Sequence, residues 1–564
     1  MNRAIGALIL LAAPLQAQVV YVNDDAAGAG NGTSWQDAYT DIQVALNNTS
    51  GFQQVWVAEG LYIPSQSGDR TASIEIPAGL EVYGGFAGTE SSLVNRAGLF
   101  ATTYLSGDLA GNDGPNFVGR ADNSLHVVTF AGFASVILDG FTIRGGNANG
   151  DTNWDSWGGA LVLGAFGPPY CRIRNCLFIE NEARQYGGAV YFGWVPASLE
   201  YCDFRRNRSG SLGGAVCADN ESGSSLLDVV NCSFQQNSTR DYGGALYVSH
   251  GSVVNCVFTG NSVTGAGSAG GAAGTGYMTT FTNCTVFGNR ATSAGGVAGG
   301  IMGGHGSTRI FNSILWGNLD STGDGQGAQA NKFDWSYEIL LNDSCIENWD
   351  AQGGSEWNLN ANPRFEDPEG PDGELGTADD DLSLARLSPC VDAAHHSYAG
   401  PALDLGDNPR MVDSLTCDGA VVLDLGAFER QVIDGTTNYC QATPSSLGSP
   451  VILSASCAPS HAANDFSITA TPLPSGFAMV LFGQTVNQVP LGDGVLCVGG
   501  ALHRTTLLPS AGGPTVFPID LTQGPPQVIH PASVWSFQVI YRDLGTATGT
   551  GVNLSDALRC TFRP

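Results

Sequence analysis

The chain has 564 residues, enough for two or three domains, and carries 23 lysine and arginine residues against 52 aspartate and glutamate residues. The formal net charge of −29 argues against binding to nucleic acid or to anionic membranes, because both need clustered cations. It suits solubility and divalent-cation binding outside the cell. Because hydrophobic residues make up 43% of the chain, the 77 glycines indicate tight turns rather than disorder.

The first segment, residues 1–17, is typical of a secretory signal peptide. Arg3 lies in a short polar start, an apolar run follows from Ala4 to Pro14, and Ala17 ends the segment. That run is too short to span a membrane, and no later stretch is long and apolar enough to do so. We therefore expect export and no transmembrane segment.

Residues 18–72 are predicted to form an N-terminal cap. Apolar residues recur at helical spacing over 34–46, which predicts an amphipathic helix with Ser34 as its N-cap. Such a helix would cover the end of a solenoid, where strand edges are otherwise unpaired. Short strands are predicted in the segments 54–58, 74–83 and 125–130.

Five copies of one sequence unit lie between Asn175 and Ile301. Each copy has a cysteine, an apolar residue two positions later, an asparagine three positions further on, and then Gly-Gly-Ala or Gly-Gly-Val. A sixth copy, near Asn312, lacks the cysteine. A repeat of this size predicts a solenoid, in which each coil buries its apolar face against its neighbours. The five cysteines are Cys176, Cys202, Cys232, Cys256 and Cys284.

The apolar residues within each unit alternate with polar residues, as in short strands. Cys202 and Phe204 would point to one side while Asp203 points to the other. Stacked strands lie about 4.8 Å apart, so equivalent asparagines can form ladders and equivalent phenylalanines can stack. The asparagine after each strand also tolerates a left-handed backbone. We therefore predict an all-β fold with a right-handed parallel β-helix over residues 73–350, followed by a C-terminal cap over 351–433.

The repeat cysteines are predicted to form an inward column of packed thiols, because stacked, parallel Cβ vectors are poorly oriented for disulfides. Residues 434–564 differ in character, with alternating strands at 466–471, 478–482 and 535–541 between proline and glycine turns. This pattern predicts a small antiparallel β-sandwich. Two disulfides are expected there, and three pairings remain open. The cysteines concerned are Cys440, Cys457, Cys497 and Cys560.

The Phe-x-x-Asn and Gly-Gly-Ala pairing resembles the repeat of polymorphic outer-membrane proteins, a bacterial surface family of parallel β-helices. The flanking motifs Tyr-Gly-Gly-Phe at 83–86 and Asp-Leu-Gly-Ala-Phe-Glu at 424–429 are similar to those of secreted bacterial β-helix proteins. Segment 535–558 resembles a C-terminal module of secreted bacterial proteins. The resemblance covers roughly residues 19–430 and implies the fold and export. It implies no single activity, since this scaffold carries both adhesins and lyases.

An acidic loop over residues 366–382 is the main candidate for metal binding. Its glycines allow sharp turns, and calcium takes about six to eight oxygen ligands from such flexible loops. The alternative is a solvated acidic loop that like-charge repulsion keeps open. The candidate calcium ligands are Asp367, Glu369, Asp372, Asp379, Asp380 and Asp381.

Aromatic and arginine side chains of the repeats are candidates for glycan contact. Arg184 and Arg240 occupy one repeat position, and a tyrosine follows each of them two residues later. Tryptophans close by in the sequence could stack on sugar rings. The alternative is a solvated surface, because outward residues of a repeat align automatically. The candidates are Trp154, Trp157, Arg184, Tyr186, Trp194, Arg240 and Tyr242.

These features predict a secreted or cell-surface, non-catalytic protein that is structural, adhesive or glycan-binding, with polysaccharide or cell-surface components as partners. The alternative is a polysaccharide lyase or glycoside hydrolase acting on extracellular acidic polysaccharide, in which an arginine abstracts a proton. A third possibility is a passive stalk that displays the C-terminal module. The motif around His305 is similar to the catalytic strip of pectin-cleaving glycosidases. That family also needs an Asn-Thr-Asp and an Asp-Asp upstream on neighbouring coils, but neither lies before His305 in the predicted β-helix, since Asp24-Asp25 precedes it. His305 is therefore predicted to be a turn residue.

Overall fold

The structure is a computed structural model of the whole chain. It describes residues 18–49, 53–96, 102–164, 170–219, 226–333, 338–350, 357–385, 388–398, 400–410, 423–430, 436–455, 459, 461, 464, 466–544 and 550–562. The predicted signal peptide, residues 1–17, and Cys457 lie outside the described residues.

Three parallel sheets run along residues 18–346, with strands numbered here in chain order. The 18-stranded sheet contains β1 (Gln18–Val22), β2 (Gln53–Ala58), β4 (Ile74–Pro77), β5 (Glu81–Phe86), β7 (Val128–Ala131), β8 (Val136–Asp139), β11 (Leu161–Leu163), β12 (Cys171–Arg174), β15 (Val190–Phe192), β16 (Ala197–Glu200), β19 (Val216–Ala218), β20 (Leu227–Val230), β23 (Leu246–Val254), β26 (Ala273–Thr282), β29 (Ile301–Gly303), β30 (Ser307–Phe311), β33 (Ala330–Lys332) and β34 (Glu338–Asn342).

The other two parallel sheets are built from shorter strands. The 10-stranded sheet contains β3 (Gly60–Tyr62), β6 (Thr103–Ser106), β9 (Thr142–Arg144), β13 (Leu177–Ile179), β17 (Asp203–Arg205), β21 (Ser233–Gln235), β24 (Val257–Thr259), β27 (Thr285–Phe287), β31 (Ile314–Trp316) and β35 (Cys345–Ile346). The seven-stranded sheet contains β10 (Asn147–Ala148), β14 (Glu182–Ala183), β18 (Arg208–Ser209), β22 (Ser238–Thr239), β25 (Ser262–Val263), β28 (Arg290–Ala291) and β32 (Leu319–Asp320). Each strand pairs in parallel with its equivalent on the next coil, so the predicted parallel β-helix is confirmed.

The repeat phenylalanines form a stack inside the solenoid. Phe178, Phe204, Phe234 and Phe258 lie on successive coils, with ring centroids 4.8, 4.8 and 4.7 Å apart. The planes of successive rings differ by at most 6°. All four side chains are fully buried, so the predicted phenylalanine stack is confirmed.

The five repeat cysteines form the predicted buried column of free thiols. The Cys202 thiol, for example, contacts the carbonyl of Glu200 at 3.4 Å and that of Ile173, on the preceding coil, at 3.6 Å. Burial raises the pKa of the Cys202 thiol well above its ordinary value, so the thiol stays protonated. In the sixth copy, Ser313 takes the place of the cysteine in the column, and its Oγ accepts a hydrogen bond from the Cys284 N–H at 3.0 Å.

The turn asparagines form a hydrogen-bonded ladder along the solenoid. Each Nδ2 donates to the Oδ1 of the next asparagine at 2.9 to 3.1 Å, and the last one donates to Gln329 Oε1 at 2.8 Å. The left-handed backbone was expected at these asparagines, and that expectation is wrong. The residue before each asparagine has the positive φ instead, as at Arg206 (49°) and Gln236 (52°). The ladder consists of Asn181, Asn207, Asn237, Asn261, Asn289 and Asn318.

The N-terminal helix is shorter than predicted. Helix α1 spans Ile42–Asn47 and is capped by Asp41, whose carboxylate accepts from the Val44 N–H at 2.9 Å. Ser34 caps no helix, because its hydroxyl closes a turn with the Asp37 N–H at 3.1 Å. The buried residues of α1, Ile42, Ala45 and Leu46, pack into the solenoid core.

Some predicted strands differ from the observed ones. The segment 74–83 was predicted as one strand but contains a turn at Gly79, whose φ is +86°, so β4 and β5 are separate. The segment 125–130 forms a strand only from Val128. Within the described residues, the remaining helical segments are α2 (Gln326–Gln329) and the 3-10 turns Leu93–Asn95, Trp154–Ser156, His396–Tyr398 and Pro525–Val528. In the described part of the chain, no helix is long and apolar enough to cross a membrane.

After the solenoid, the strand pairing becomes antiparallel. The strands are β36 (Phe365–Asp367), β37 (Asp381–Leu384), β38 (Thr436–Asn438), β39 (Ile452–Ala455), β40 (Ser467–Leu473), β41 (Gly476–Gly483), β42 (Thr485–Leu491), β43 (Gly494–Gly499), β44 (His503–Arg504), β45 (Leu508–Ser510), β46 (Gly513–Pro518), β47 (Val534–Arg542) and β48 (Val552–Thr561). From β38 onward, strands of two sheets share one hydrophobic core, to which Leu453, Ile468 and Phe537 belong. One predicted disulfide is present, between Cys440 and Cys497, and Cys560 is buried.

The segments 388–398, 400–410 and 423–430, here called the C-terminal strap, lie along the outside of the solenoid. The strap bonds to the asparagines that precede the repeat cysteines, or the serine that replaces one, on three successive coils. Asn312 Oδ1 accepts from the His395 N–H at 2.8 Å. Asn283 Nδ2 donates to the Tyr398 carbonyl at 3.2 Å, and Asn255 Nδ2 donates to the Leu403 carbonyl at 2.8 Å.

A buried arginine joins the end of the strap to the solenoid. Arg410 is fully buried, and its Nε donates to Asn255 Oδ1 at 3.0 Å. Its guanidinium also donates to the Gly426 carbonyl and lies 3.7 Å from the Glu429 carboxylate. The strap is therefore fixed to the coil by one desolvated polar cluster.

Candidate functional site

Four aromatic side chains meet on the outside of the solenoid and are here called the aromatic cluster: Trp154, Trp157, Tyr186 and Tyr191. Trp157 is central, with ring centroids 5.2 Å from Trp154, 5.5 Å from Tyr186 and 4.7 Å from Tyr191. Trp157 is 8% exposed whereas Trp154 is 41% exposed. The cluster therefore presents one accessible indole on a packed aromatic base.

The position of Trp157 is fixed by its backbone and by its indole nitrogen. Isolated parallel bridges join Trp157 to Tyr186 on the next coil, and then Tyr186 to Leu212 and Leu212 to Tyr242. Trp157 Nε1 donates to Gln185 Oε1 at 3.1 Å. Because the ring is held from two sides, Trp154 packs on a rigid surface.

The arginines near the aromatic cluster are paired with carboxylates. Arg184 Nη1 donates to Asp151 Oδ1 at 3.0 Å, and Arg240 Nε lies 3.8 Å from Asp241 Oδ1. Burial raises the pKa of Tyr186, and the nearby negative charges of Asp219 and Asp241 add to this rise. The surroundings of the cluster are therefore acidic on balance.

The seven predicted glycan contacts do not form one site. Trp154, Trp157 and Tyr186 come together, and Arg184 borders Tyr186 in the same turn. Tyr242 is separated from Trp157 by three successive β-bridges, and its ring packs instead on Phe333, with the ring centroids 5.1 Å apart. Trp194 is 48% exposed in the turn after β15 and makes no ring contact within the described residues.

Sequence reasoning missed Tyr191 and Gln185. Tyr191 lies on β15 beside Val190 and Phe192, and the period-two pattern of that strand places it on the outer face. The alternation was therefore the signal that could have identified it. No sequence pattern identifies Gln185, because its function here is to accept a hydrogen bond from the Trp157 indole of the preceding coil.

The acidic loop packs on the solenoid rather than standing free. Its carbonyls at Leu375 and Thr377 accept from Gln236 Nε2 at 3.0 Å and Gln235 Nε2 at 3.4 Å. The Leu375 side chain lies over Gly288. The alternative of an open, solvated loop therefore does not describe its middle part.

The carboxylates of the acidic loop accept hydrogen bonds from the loop itself. Asp380 Oδ2 accepts from the Gly376 N–H at 2.7 Å, and Asp379 Oδ1 accepts from Thr377 Oγ1 at 2.6 Å. The Thr377 bond lowers the pKa of Asp379, whereas burial raises that of Asp380. Among described residues, no three or more carboxylate, histidine or cysteine side chains are grouped so as to hold a metal ion. The carboxylates of Asp379 and Asp380 are thus held by donors of the loop itself.

The other candidate ligands lie at the base of the loop or along it. Asp367 on β36 is paired directly with Asp381 on β37 in the two-stranded antiparallel sheet. Asp372 Oδ1 accepts from the Glu374 N–H at 2.8 Å, and Glu369 is exposed. The six predicted ligands are thus spread over the hairpin.

His305 lies, as predicted, in a turn, between β29 and β30, where it is exposed. Its ring lies in a short column with two rings of the preceding coils, which belong to β23 and β26. The Tyr277 ring lies 5.2 Å from His250 and 6.3 Å from His305. No acid–base carboxylate pair was predicted beside it, and we assign it no role.

No family model matches the chain. The chain is similar to "Probable outer membrane protein pmp21" of Chlamydia pneumoniae, with 34% identity over 108 residues, which is 18% of this chain and 7% of that protein. The similarity supports the resemblance of the repeat to polymorphic outer-membrane proteins, over a small part of that relative.

Two solved structures are similar to the chain at low sequence identity. Pectate lyase Pel9A is 13% identical with a TM-score of 0.42, over 73% of this chain and 96% of that one. A rhamnogalacturonan lyase is 12% identical with a TM-score of 0.31, over 65% of this chain and 97% of that one. The assignment of a parallel β-helix rests on the strand pairings of this chain itself.

Proposed function

We propose that this protein is a non-catalytic glycan-binding protein of the cell surface or the extracellular space, and that the aromatic cluster is its contact surface. The observation that carries the proposal is the half-exposed Trp154, packed on the fixed indole of Trp157. An aromatic ring offers a flat apolar face to the C–H groups of a sugar and costs little side-chain entropy when it is already held in place.

The charges around the cluster favour an uncharged glycan over a polyuronate. Asp155 borders Trp154, the negative charges of Asp219 and Asp241 act on Tyr186, and the arginines of this surface are Arg184 and Arg240. The whole chain carries a formal charge of −29. Both arginines are already paired with carboxylates. A polyuronate would be repelled by this field, whereas a neutral glycan would not.

Export and attachment to a surface are part of the same proposal. They rest on the signal-peptide pattern of residues 1–17 and on the similarity to a protein named a probable outer membrane protein. A repeating coil with a long lateral surface suits an adhesive or structural role, because ligands can bind along it.

The enzymatic alternative, a lyase or glycoside hydrolase, is less favoured. A lyase needs an arginine or lysine able to accept a proton beside the substrate, but Arg184 and Arg240 are exposed and paired with carboxylates. A glycoside hydrolase needs two facing carboxyl groups that act as acid and base, but the carboxylates of Asp151 and Asp241 are each paired with an arginine. Product formation from any polysaccharide would overturn the non-catalytic proposal.

Affinity electrophoresis in gels containing neutral polysaccharides tests the binding proposal. We expect retardation of the wild-type protein in at least one gel and a loss of about tenfold or more in affinity for Trp154→Ala, as for an aromatic anchor. Trp357→Ala is the matched control, because Trp357 is 74% exposed and follows the last coil. Equal retardation of both variants would reject the aromatic cluster as the contact surface.

Calcium binding by the acidic loop is a separate and weaker proposal, supported by the composition of the loop alone. Binding to the folded state would raise the melting temperature with calcium concentration. We would compare the melting midpoint with calcium, with magnesium and with a chelator, and repeat the series with Asp372→Asn. A midpoint that calcium leaves unchanged would reject this proposal.

A further inference from the structure

Cys345 differs from the repeat cysteines in the direction it faces. In the register of β31 and β35, Cys345 pairs with Ile314 and Ile346 pairs with Leu315. Leu315 and Ile346 belong to the core inside the solenoid, whereas Ile314 and Cys345 belong to a separate outer cluster. Since alternate residues of a strand face opposite sides, Cys345 points out of the coil.

The C-terminal strap places a second cysteine against this position. Cys390 and Cys345 are both fully buried and share the outer cluster with Leu384, Val391 and Leu425. The Cys390 carbonyl accepts from the Leu425 N–H at 2.9 Å, and the next residue, Gly426, lies against the side chain of Ile314, the strand neighbour of Cys345. Cys345 Sγ also lies 3.0 Å from the Ala361 carbonyl. Two thiols from different segments of the chain therefore meet in one apolar pocket.

The repeat cysteines have no such arrangement. They lie at one equivalent position, immediately before the stacked strands of the 10-stranded sheet. Each thiol contacts carbonyls of its own coil and of the preceding one, as Cys256 does with Val254 at 3.2 Å and Val229 at 3.6 Å. Parallel Cβ vectors are poorly oriented for a disulfide, whereas residues of two segments that face each other can be bridged.

We propose that Cys345 and Cys390 form a disulfide bond that fastens the C-terminal strap to the last coil of the solenoid. The two S–H bonds are replaced by one S–S bond, and two electrons and two protons pass to a disulfide oxidant, such as oxidised glutathione or a dithiol oxidase. That oxidant is reduced to two thiols. This inference is independent of the glycan proposal.

A disulfide elsewhere in the same chain supports the inference. Cys440 and Cys497 are joined, so at least one pair of cysteines in the protein is in the oxidised form. The bond between Cys345 and Cys390 would close a loop across 390 − 345 = 45 positions of the sequence. Closing such a loop restricts the unfolded chain and holds the strap on the coil.

Peptide mapping of the full-length protein tests the bond directly. The protein is incubated with oxidised glutathione, unfolded in the presence of an alkylating reagent, digested without reduction and analysed by mass spectrometry. We expect a linked peptide pair containing Cys345 and Cys390, while the five repeat cysteines are recovered in alkylated form. The Cys440–Cys497 pair is the internal control. Recovery of Cys345 and Cys390 as alkylated thiols in a sample where that control is linked would overturn the proposal.

A second measurement follows the effect on stability. In a background that lacks Cys440, Cys457, Cys497 and Cys560, so that no predicted disulfide of the C-terminal domain remains, we expect a reductant to lower the melting temperature of the protein that retains Cys345 and Cys390. The same reductant should leave Cys345→Ser unchanged, and Cys284→Ser is the matched control that keeps the response. A response to reductant that persists in Cys345→Ser would contradict the assignment.

Discussion

The inner columns of the solenoid and the C-terminal strap are stabilised in different ways. Inside, the same contact recurs on every coil, as in the ladder in which Asn207 bonds to Asn237 and Asn237 to Asn261. Outside, the strap is held by contacts that occur once, centred on Arg410. Repetition distributes stability over many equivalent groups, whereas a single buried charged cluster concentrates it.

The largest expected effect therefore lies in the strap. Arg410→Met would remove the donor to Asn255 Oδ1 and to the Gly426 carbonyl, and also the cation that offsets the buried carboxylate of Asp404. We expect a loss of about 3–5 kcal/mol in the free energy of unfolding. Denaturant titration would measure it, with Arg309→Met as control, because Arg309 is exposed on β30. Equal midpoints for the two variants would show that the cluster does not hold the strap.

A substitution in the ladder should cost less. Asn237→Ala removes the acceptor of the Asn207 N–H (2.9 Å) and the donor to the Phe204 carbonyl (2.8 Å), which leaves buried groups without partners. We expect a loss of about 2–3 kcal/mol by denaturant titration. Ser238→Ala, at the next and half-buried position, is the control. A loss as large as that of Arg410→Met would mean that the columns and the strap do not differ.

The pH dependence of stability should also separate the two regions. Burial raises the pKa of Asp424 from 3.8 to about 7 and that of Glu429 from 4.5 to about 10. A carboxyl group whose pKa is raised in the folded state stabilises that state fully when the pH is below its pKa in the unfolded chain. This stabilisation is lost as the pH rises through the pKa of the group in the folded state. The ladder and the phenylalanine stack do not titrate, and burial keeps thiols such as Cys256 protonated.

We therefore expect the free energy of unfolding to fall, by roughly 1–3 kcal/mol, between pH 4 and pH 8. Denaturant midpoints across this range would show the slope, and Asp424→Asn should flatten it. A slope of the opposite sign would mean that Asp424 is ionised in the folded protein and stabilised by its backbone donors.

The buried columns of cysteine, phenylalanine and asparagine could be predicted because the repeats that form them can be recognised in a single sequence. The Cys202 and Phe204 alternation and the turn asparagines each follow from local pattern and coil spacing. The same logic failed at α1, because Trp35 packs on Tyr21 with ring centroids 4.7 Å apart instead of joining a helix. A tertiary contact there overrides helical spacing.

The strap and the candidate site were harder to predict. The contact of Arg410 with Asn255 joins residues 155 positions apart and occurs once, so no periodicity in the sequence indicates it. Trp154 and Trp157 were identified as aromatic candidates, but Gln185 was not, because its bond to Trp157 depends on the register between two coils. Pairs that depend on stacking register need the structure.

The most direct test of the functional account is binding to two forms of one polysaccharide, polygalacturonate and its methyl ester, which share a backbone and differ in charge. The account predicts that the ester is bound through Trp154, that the acid form is bound at least about tenfold more weakly at low salt, and that no unsaturated product appears. Equal or tighter binding of the acid form, or its cleavage, would contradict the account. Failure to bind either form or any neutral glycan would reject glycan binding itself.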